Sequence, residues 1–212
     1  MKVAYFDCVS GLSGDMTLAA LISAGWPEAE LQALPGRLHL EGVGITVSAV
    51  RRGPFAATHV DVRAPARQPH RHLHHIERIL DAAALPGRVR ERAKATFRLL
   101  ARAEAKVHGT TVEQVHFHEV GAVDAIVDVV GAALGIELLG VDEVRFGRLP
   151  LGRGFTQAAH GRIPLPAPAT LEILVGQPVD MTGYEVTSVG FSVATWVSVT
   201  SKGISPNSSA RW

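Results

Sequence analysis

The run His116-Phe-His-Glu-Val-Gly-Ala-Val-Asp-Ala-Ile-Val-Asp128 constrains the fold more than any other stretch. From Ala122 to Leu139 the residues are mostly small and aliphatic, which predicts a helix buried on most sides. Asp124 and Asp128 are four residues apart, so they stack on one side of that helix near its positive N-terminal end. His116 and His118 are two apart; in extended backbone both rings leave one face and Glu119 leaves the other. Gly121 breaks the segment. The expected unit is a strand–turn–helix corner carrying two imidazoles and two carboxylates. Imidazole nitrogens suit Ni, Zn, Cu or Fe, whereas carboxylates suit harder ions or act as bases. The competing explanation is structural: rings bonded to backbone, and acids that only complement the helix dipole.

The N-terminal stretch reads as strand, loop, helix. Lys2 to Phe6 is β-prone and predicts a buried strand. Apolar periodicity then runs from Met16 through Ile22, and Gly25 stops it. The connecting loop contains Ser10, Gly11, Ser13 and Gly14, small residues that let backbone N–H groups approach a phosphate at the helix start. Asp7 and Asp15 flank the loop and are candidate ligands for a divalent cation. A tight turn with Asp15 as the helix N-cap explains the same residues equally well. Cys8 reads as a buried small hydrophobe.

Further on, a short helix is expected at Glu28 to Leu34, with a turn at Pro35-Gly36. Gly44 to Arg52 and Phe55 to Arg63 alternate around Gly53-Pro54, which signals a hairpin. Ala64 to Pro69 reads as a linker. His70-Arg-His-Leu-His-His75 opens the next helix, with Leu73, Ile76 and Leu80 as its inward stripe and His72 turned partly inward. His70, near the helix start, is a metal ligand if neutral; if charged, it joins Arg71 as a phosphate site. His74 and His75 read as a solvated face. Pro86 begins a long amphipathic helix that ends at His108 and Gly109, its arginines facing solvent. Val141 to Leu151 predicts a strand ending in Gly152-Arg-Gly. Ala158 to Thr170 predicts a proline-stiffened loop presenting His160 and Arg162, with Pro168 opening a helix to about Val175. Beyond Gly183 no helical period persists, and the one candidate strand lies near Phe191 to Val199.

Composition removes some function classes. A formal net charge of +1 argues for neither nucleic-acid nor membrane binding. With Cys8 as the only cysteine no internal disulfide can form, which fits a reducing cytoplasm. The N-terminus shows no signal-peptide pattern, and no apolar run reaches the ~20 residues of a membrane span. Ten histidines in 212 residues is the unusual count, and it favours a metal site over any single motif.

Several blocks, in order, resemble one family. They are Tyr5 to Met16, His70 to Leu73 with Ile76 and Glu77, Ala103 to Gly109, His116 to Asp128, Leu149 to Gly152, His160-Gly, and Pro164 to Thr170. Together these are similar to the LarC nickel insertion proteins, the pyridinium-3,5-bisthiocarboxylic acid mononucleotide nickel chelatases. The resemblance implies a lyase-class insertase that places Ni(II) in a pyridinium mononucleotide bearing two thiocarboxylates, with hydrolysis of CTP bound through Mg or Mn. It implies Asp7, Asp15, His70, His72, His116, His118, Asp128 and His160 as metal-handling candidates. Ser10, Gly11, Ser13, Gly14 and Arg71 are the candidates for the phosphate of the mononucleotide. His118, Glu119 or Asp124 is the candidate base for the ring proton lost on metallation.

The family continues past Gly183 with a further domain associated with CTP. Residues 1–182 are therefore expected to form a LarC-like α/β domain, a mixed sheet with packed helices and a hairpin insertion. Residues 183–212 are expected to be a truncated or out-of-frame tail. A separate C-terminal domain is then the expected partner, alongside the mononucleotide and a possible homo-oligomer. Without the resemblance, the competing readings are a phosphohydrolase built on Asp7 and Asp15, a non-catalytic nickel-binding metallochaperone module, or a structural subunit whose histidines are incidental.

Overall fold

The structure, a computed structural model, describes residues 1–8, 11–65, 68, 71–117, 122–158 and 161–185, without the side chains of 156–158 and 181–185. In chain order its elements are β1 (Val3–Phe6), α1 (Gly14–Ser23), α2 (Glu28–Gln32), α3 (Leu34–Arg37), β2 (Gly44–Arg52), β3 (Phe55–Arg63), α4 (Leu73–Ala82), α5 (Gly87–His108), α6 (Val123–Leu138), β4 (Glu143–Phe146), β5 (Leu149–Ala158), β6 (Gly161–Leu165), α7 (Pro168–Ile173) and β7 (Val179–Glu185). This is the α/β class expected, with the strands divided among three small sheets. β1 pairs in parallel with β4, β2 with β3 as a hairpin, and β5 lies between antiparallel β6 and parallel β7.

Helix α6 is the centre. Its Ile126, Val127, Val130, Leu134 and Ile136 are buried, and α1 and α5 pack against it. Two glycines make the α1 contact close. A Cβ at Gly131 would lie 2.7 Å from Leu18 Cδ2, and one at Gly135 would lie 3.0 Å from Leu21 Cδ1. On the other side α5 contributes Val89, Ala93, Phe97 and Leu100, all buried at the expected helical spacing. Gly109 ends it in the left-handed conformation, φ 63°, as a C-terminal glycine does.

Several expectations need correction. β1 is not buried: Val3 and Tyr5 are 39% and 54% exposed, because the two-stranded sheet has one face uncovered among the described residues. Pro35-Gly36 is not a simple turn but part of the one-turn helix α3, entered directly from α2. The strand expected over Val141 to Leu151 is two strands, broken at Gly147 and Arg148. Gly152 lies inside β5, where the register with β7 shifts between Leu151 and Arg153. The expected loop from Ala158 contains β6, and Pro164 is tolerated there because β6 is an edge strand. Only part of the α5 arginines is a solvated face. Arg88 and Arg92 reach Glu137 of α6, and Arg98 bonds Glu77 of α4, so these cations tie neighbouring helices together. β7 runs to Glu185, past the expected limit of regular structure at Gly183, while the candidate strand at Phe191 to Val199 lies outside the described residues.

Candidate functional site

The corner expected around His116 forms differently from a strand. Phe117 makes a single antiparallel bridge with Arg71, its N–H donating to the Arg71 carbonyl at 3.1 Å. Phe117 is buried and meets Phe97 edge-on, with ring centroids 6.5 Å apart, which anchors this short segment to the helical core. The bridge aligns His72 with His116, and their rings lie 4.0 Å apart between centroids.

His72 is held in one tautomer. Its Nδ1 lies 2.9 Å from the Val115 carbonyl oxygen, so Nδ1 carries the proton and donates it. Nε2 then keeps its lone pair, the tautomer that a backbone carbonyl imposes on metal-ligating histidines. His72 is the N-cap of α4 rather than a residue within it, which is why the ring is half-buried. His75, expected on a solvated face, instead caps the helix: its Nδ1 accepts the His72 N–H at 3.1 Å. Burial, then the neighbouring His74 and Arg78, hold its imidazole below the ordinary range, consistent with an unprotonated acceptor nitrogen. His74, exposed, stacks on His72 at 5.5 Å and meets His75 at 4.0 Å.

The carboxylates gather at the facing ends of α1 and α6. Ser13, not Asp15, is the N-cap of α1; its Oγ accepts from Met16 N at 3.4 Å and bonds Asp15 Oδ1. A Cβ at Gly14 would fall 1.9 Å from Asp128 Oδ2, so only glycine admits this carboxylate against the start of α1. Burial, followed by the charges of Asp124 and Asp15, raises the Asp128 carboxyl from 3.8 to about 7. Asp128 Oδ1 is buried without a hydrogen-bond partner among the described residues. Asp124 is exposed on the first turn of α6. Cys8 is buried as expected, and burial, then the Asp7 charge, pushes its thiol upward.

Gln68 ties the two halves of the corner together. Its Oε1 accepts the Val123 N–H of α6 at 2.7 Å and lies 3.5 Å from Arg71 Nη1. In sequence this glutamine belongs to the expected linker, and nothing local to it signals a cap for a helix 55 residues away. Beside it opens a cleft of about 690 Å³, with Arg71, Arg78, His75 and Gln68 in its lining.

Of the candidate residues, the structure brings together His72 with His116, and Asp15 with Asp124 and Asp128. Arg71 is half-buried beside Gln68, whereas Asp7 is exposed and Gly11 half-buried in the α1 approach. Ser10, His70, His118, Glu119 and His160 lie outside the described residues. Arg162 covers the Phe155 ring at 4.1 Å. Among the described residues, no three His, Cys, Asp or Glu side chains form a preassembled metal cage. No described helix is long and apolar enough to cross a membrane.

Comparison with known proteins bears on this geometry. A putative nickel insertion protein of Geotalea daltonii is 46% identical over 198 residues, covering 91% of this chain and 51% of that protein. One from Thermomicrobium roseum is 51% identical over 196 residues, covering 90% and 48%. The pyridinium-3,5-bisthiocarboxylic acid mononucleotide nickel insertion protein of Desulfitobacterium hafniense strain DCB-2 is 46% identical over 198 residues, covering 92% and 49%. The chain thus spans about half the length of the curated relatives it matches. No solved structure matches it. The family profile described as nickel insertion protein matches residues 4–208, and the chain belongs to that family.

Proposed function

We propose that this chain carries the nickel-handling part of a protein that inserts Ni(II) into pyridinium-3,5-bisthiocarboxylic acid mononucleotide. The observation that supports the reading is the His72–His116 pair, with the His72 Nδ1 proton held by the Val115 carbonyl so that Nε2 keeps its lone pair. Nickel is the substrate. Two imidazoles hold it with borderline affinity, and the thiolate-like sulfurs of the acceptor, being softer, can take it over.

Metallation of the ring carbon releases a proton. Asp124, exposed at the start of α6, is the described candidate to accept it, with His118 and Glu119 as alternatives. Asp15 and Asp128, gathered at the facing ends of α1 and α6, are further candidate metal ligands, as are His70, His160 and Asp7. Ser10, Gly11, Ser13 and Gly14 are the loop candidates for the mononucleotide phosphate. CTP with Mg or Mn, and a C-terminal domain supplied by the same or a separate chain, belong to the proposal for the longer protein. No described residue is assigned to them.

Calorimetric titration with Ni(II) tests the pair. His72→Ala and His116→Ala are each expected to weaken binding about tenfold or more. Equal affinity in both variants and wild type would remove this corner as the nickel site.

A further inference from the structure

His75 is tied to His72 by two hydrogen bonds that run in opposite directions. Its Nδ1 accepts the His72 N–H at 3.1 Å, and its own N–H donates to the His72 carbonyl oxygen at 3.0 Å. His72 is the N-cap of α4 in extended backbone, φ −89° and ψ 166°, so no helical carbonyl is placed to receive its N–H. In helices that task commonly falls to a Glu or Gln at the third helical position, which is where His75 stands. A neutral imidazole here supplies the acceptor without the negative charge. The His72 ring is fixed separately, by its Nδ1 on the Val115 carbonyl at 2.9 Å. On the N-terminal side the Arg71 carbonyl receives the Phe117 N–H, so the bridge to residue 117 holds the backbone there. The bonds to His75 hold it on the helical side. The His72 ring reaches both Val115 and His116 only if its backbone sets the Cα–Cβ bond in the right direction.

We propose that His75 is a positioning residue for the nickel site: it fixes the His72 backbone so that the ring meets Val115 and His116 together, and it binds no metal itself. The inference rests on the nickel-insertion reading for the identity of the ion. An Nδ1 that accepts a hydrogen bond leaves the proton of the neutral ring on Nε2. Neither nitrogen of His75 then has a free lone pair. His72 carries the opposite tautomer, with its proton on Nδ1 and its lone pair on Nε2. Two histidines three positions apart thus have different tasks, one as ligand and one as its support. Partners that orient a ligand without touching the ion typically change metal affinity by about 10–100-fold when removed. In the run His70 to His75 only the three-residue spacing from His72 marks this histidine. That spacing gains its meaning once the start of α4 is known to be His72.

The test follows the 212-residue chain by calorimetric titration with Ni(II) and, without metal, by NMR of the histidine ring nitrogens. His75→Leu removes the acceptor, and His75→Gln restores a neutral one at a position where glutamine serves this purpose. Ni(II) affinity should fall about tenfold in His75→Leu and return to within about twofold of wild type in His75→Gln. The ring spectrum should show His72 protonated on Nδ1 and His75 on Nε2 in the wild type. The His72 signature should persist in His75→Gln and average between tautomers in His75→Leu. Wild-type nickel affinity in His75→Leu, with a lowered melting temperature, overturns the proposal and leaves a cap that only stabilises α4. Equal losses in His75→Leu and His75→Gln overturn it as well, because His75 would then be a ligand. Wild-type affinity in both His72→Ala and His116→Ala removes the nickel reading instead. The His72 signature then decides the positioning alone: averaging in His75→Leu upholds it, and an unchanged signature overturns it.

Discussion

Two regions of this molecule are built on opposite principles. The layer of α1, α5 and α6 is apolar and closely packed, with glycines where the helices approach. The corner at residues 68, 71–75, 115–117 and 122–128 is more polar, and several of the bonds that hold it join residues distant in sequence. The first region stabilises the fold through buried area, at about 25 cal/mol per Å². The second holds a desolvated carboxylate, Asp128, whose Oδ1 has no hydrogen-bond partner among the described residues, and that costs free energy.

The contrast can be broken most directly through Phe97, which belongs to both regions because it carries Phe117 on its edge. Phe97→Ala should cost about 3–5 kcal/mol in urea unfolding, the usual loss for a fully buried aromatic ring. A loss under about 1 kcal/mol would mean the helical layer does not support the corner.

A smaller effect, opposite in sign, is expected at Asp128. Its carboxyl is raised in the folded state from 3.8 to about 7, so the native state binds an extra proton between those values. Stability from this group is full below about pH 4 and is lost as pH rises through about 7. The full shift is worth at most about 4 kcal/mol, and partial solvation reduces it. Asp128→Asn should therefore be more stable than wild type by about 1–2 kcal/mol at pH 8 and no different at pH 4. Parallel pH profiles for the two proteins would show that the corner carries no buried charge cost.

The smallest effect belongs to Gln68. Removing its acceptor with Gln68→Ala leaves the Val123 N–H without that partner and should cost about 1 kcal/mol. Faster hydrogen exchange confined to the first turn of α6 would locate the loss at the junction. Unchanged exchange there would mean that Gln68 is not the tie between cleft and helix.

Much of the packing was legible in the residues. The aliphatic run after Ala122, the spacing of Leu73, Ile76 and Leu80, and the Gly53-Pro54 turn each state a local preference, and each element formed. Errors fell where a local pattern has two solutions. Pro164 reads as a loop residue until an edge strand is available to accept it, and Val141 to Leu151 reads as one strand until Gly147 separates two partners in different sheets.

What the sequence determined by itself was the family, the α/β class and the helices whose apolar faces repeat at 3.6 residues, because these depend on neighbours a few positions away. Only the tertiary structure decided that His72 faces His116, that Asp128 presses on Gly14, that His75 is a cap, and that Arg78 and His39 share a cleft with Arg71. Those contacts join residues 3 to 114 positions apart, and their geometry depends on how helices and straps pack rather than on any local propensity.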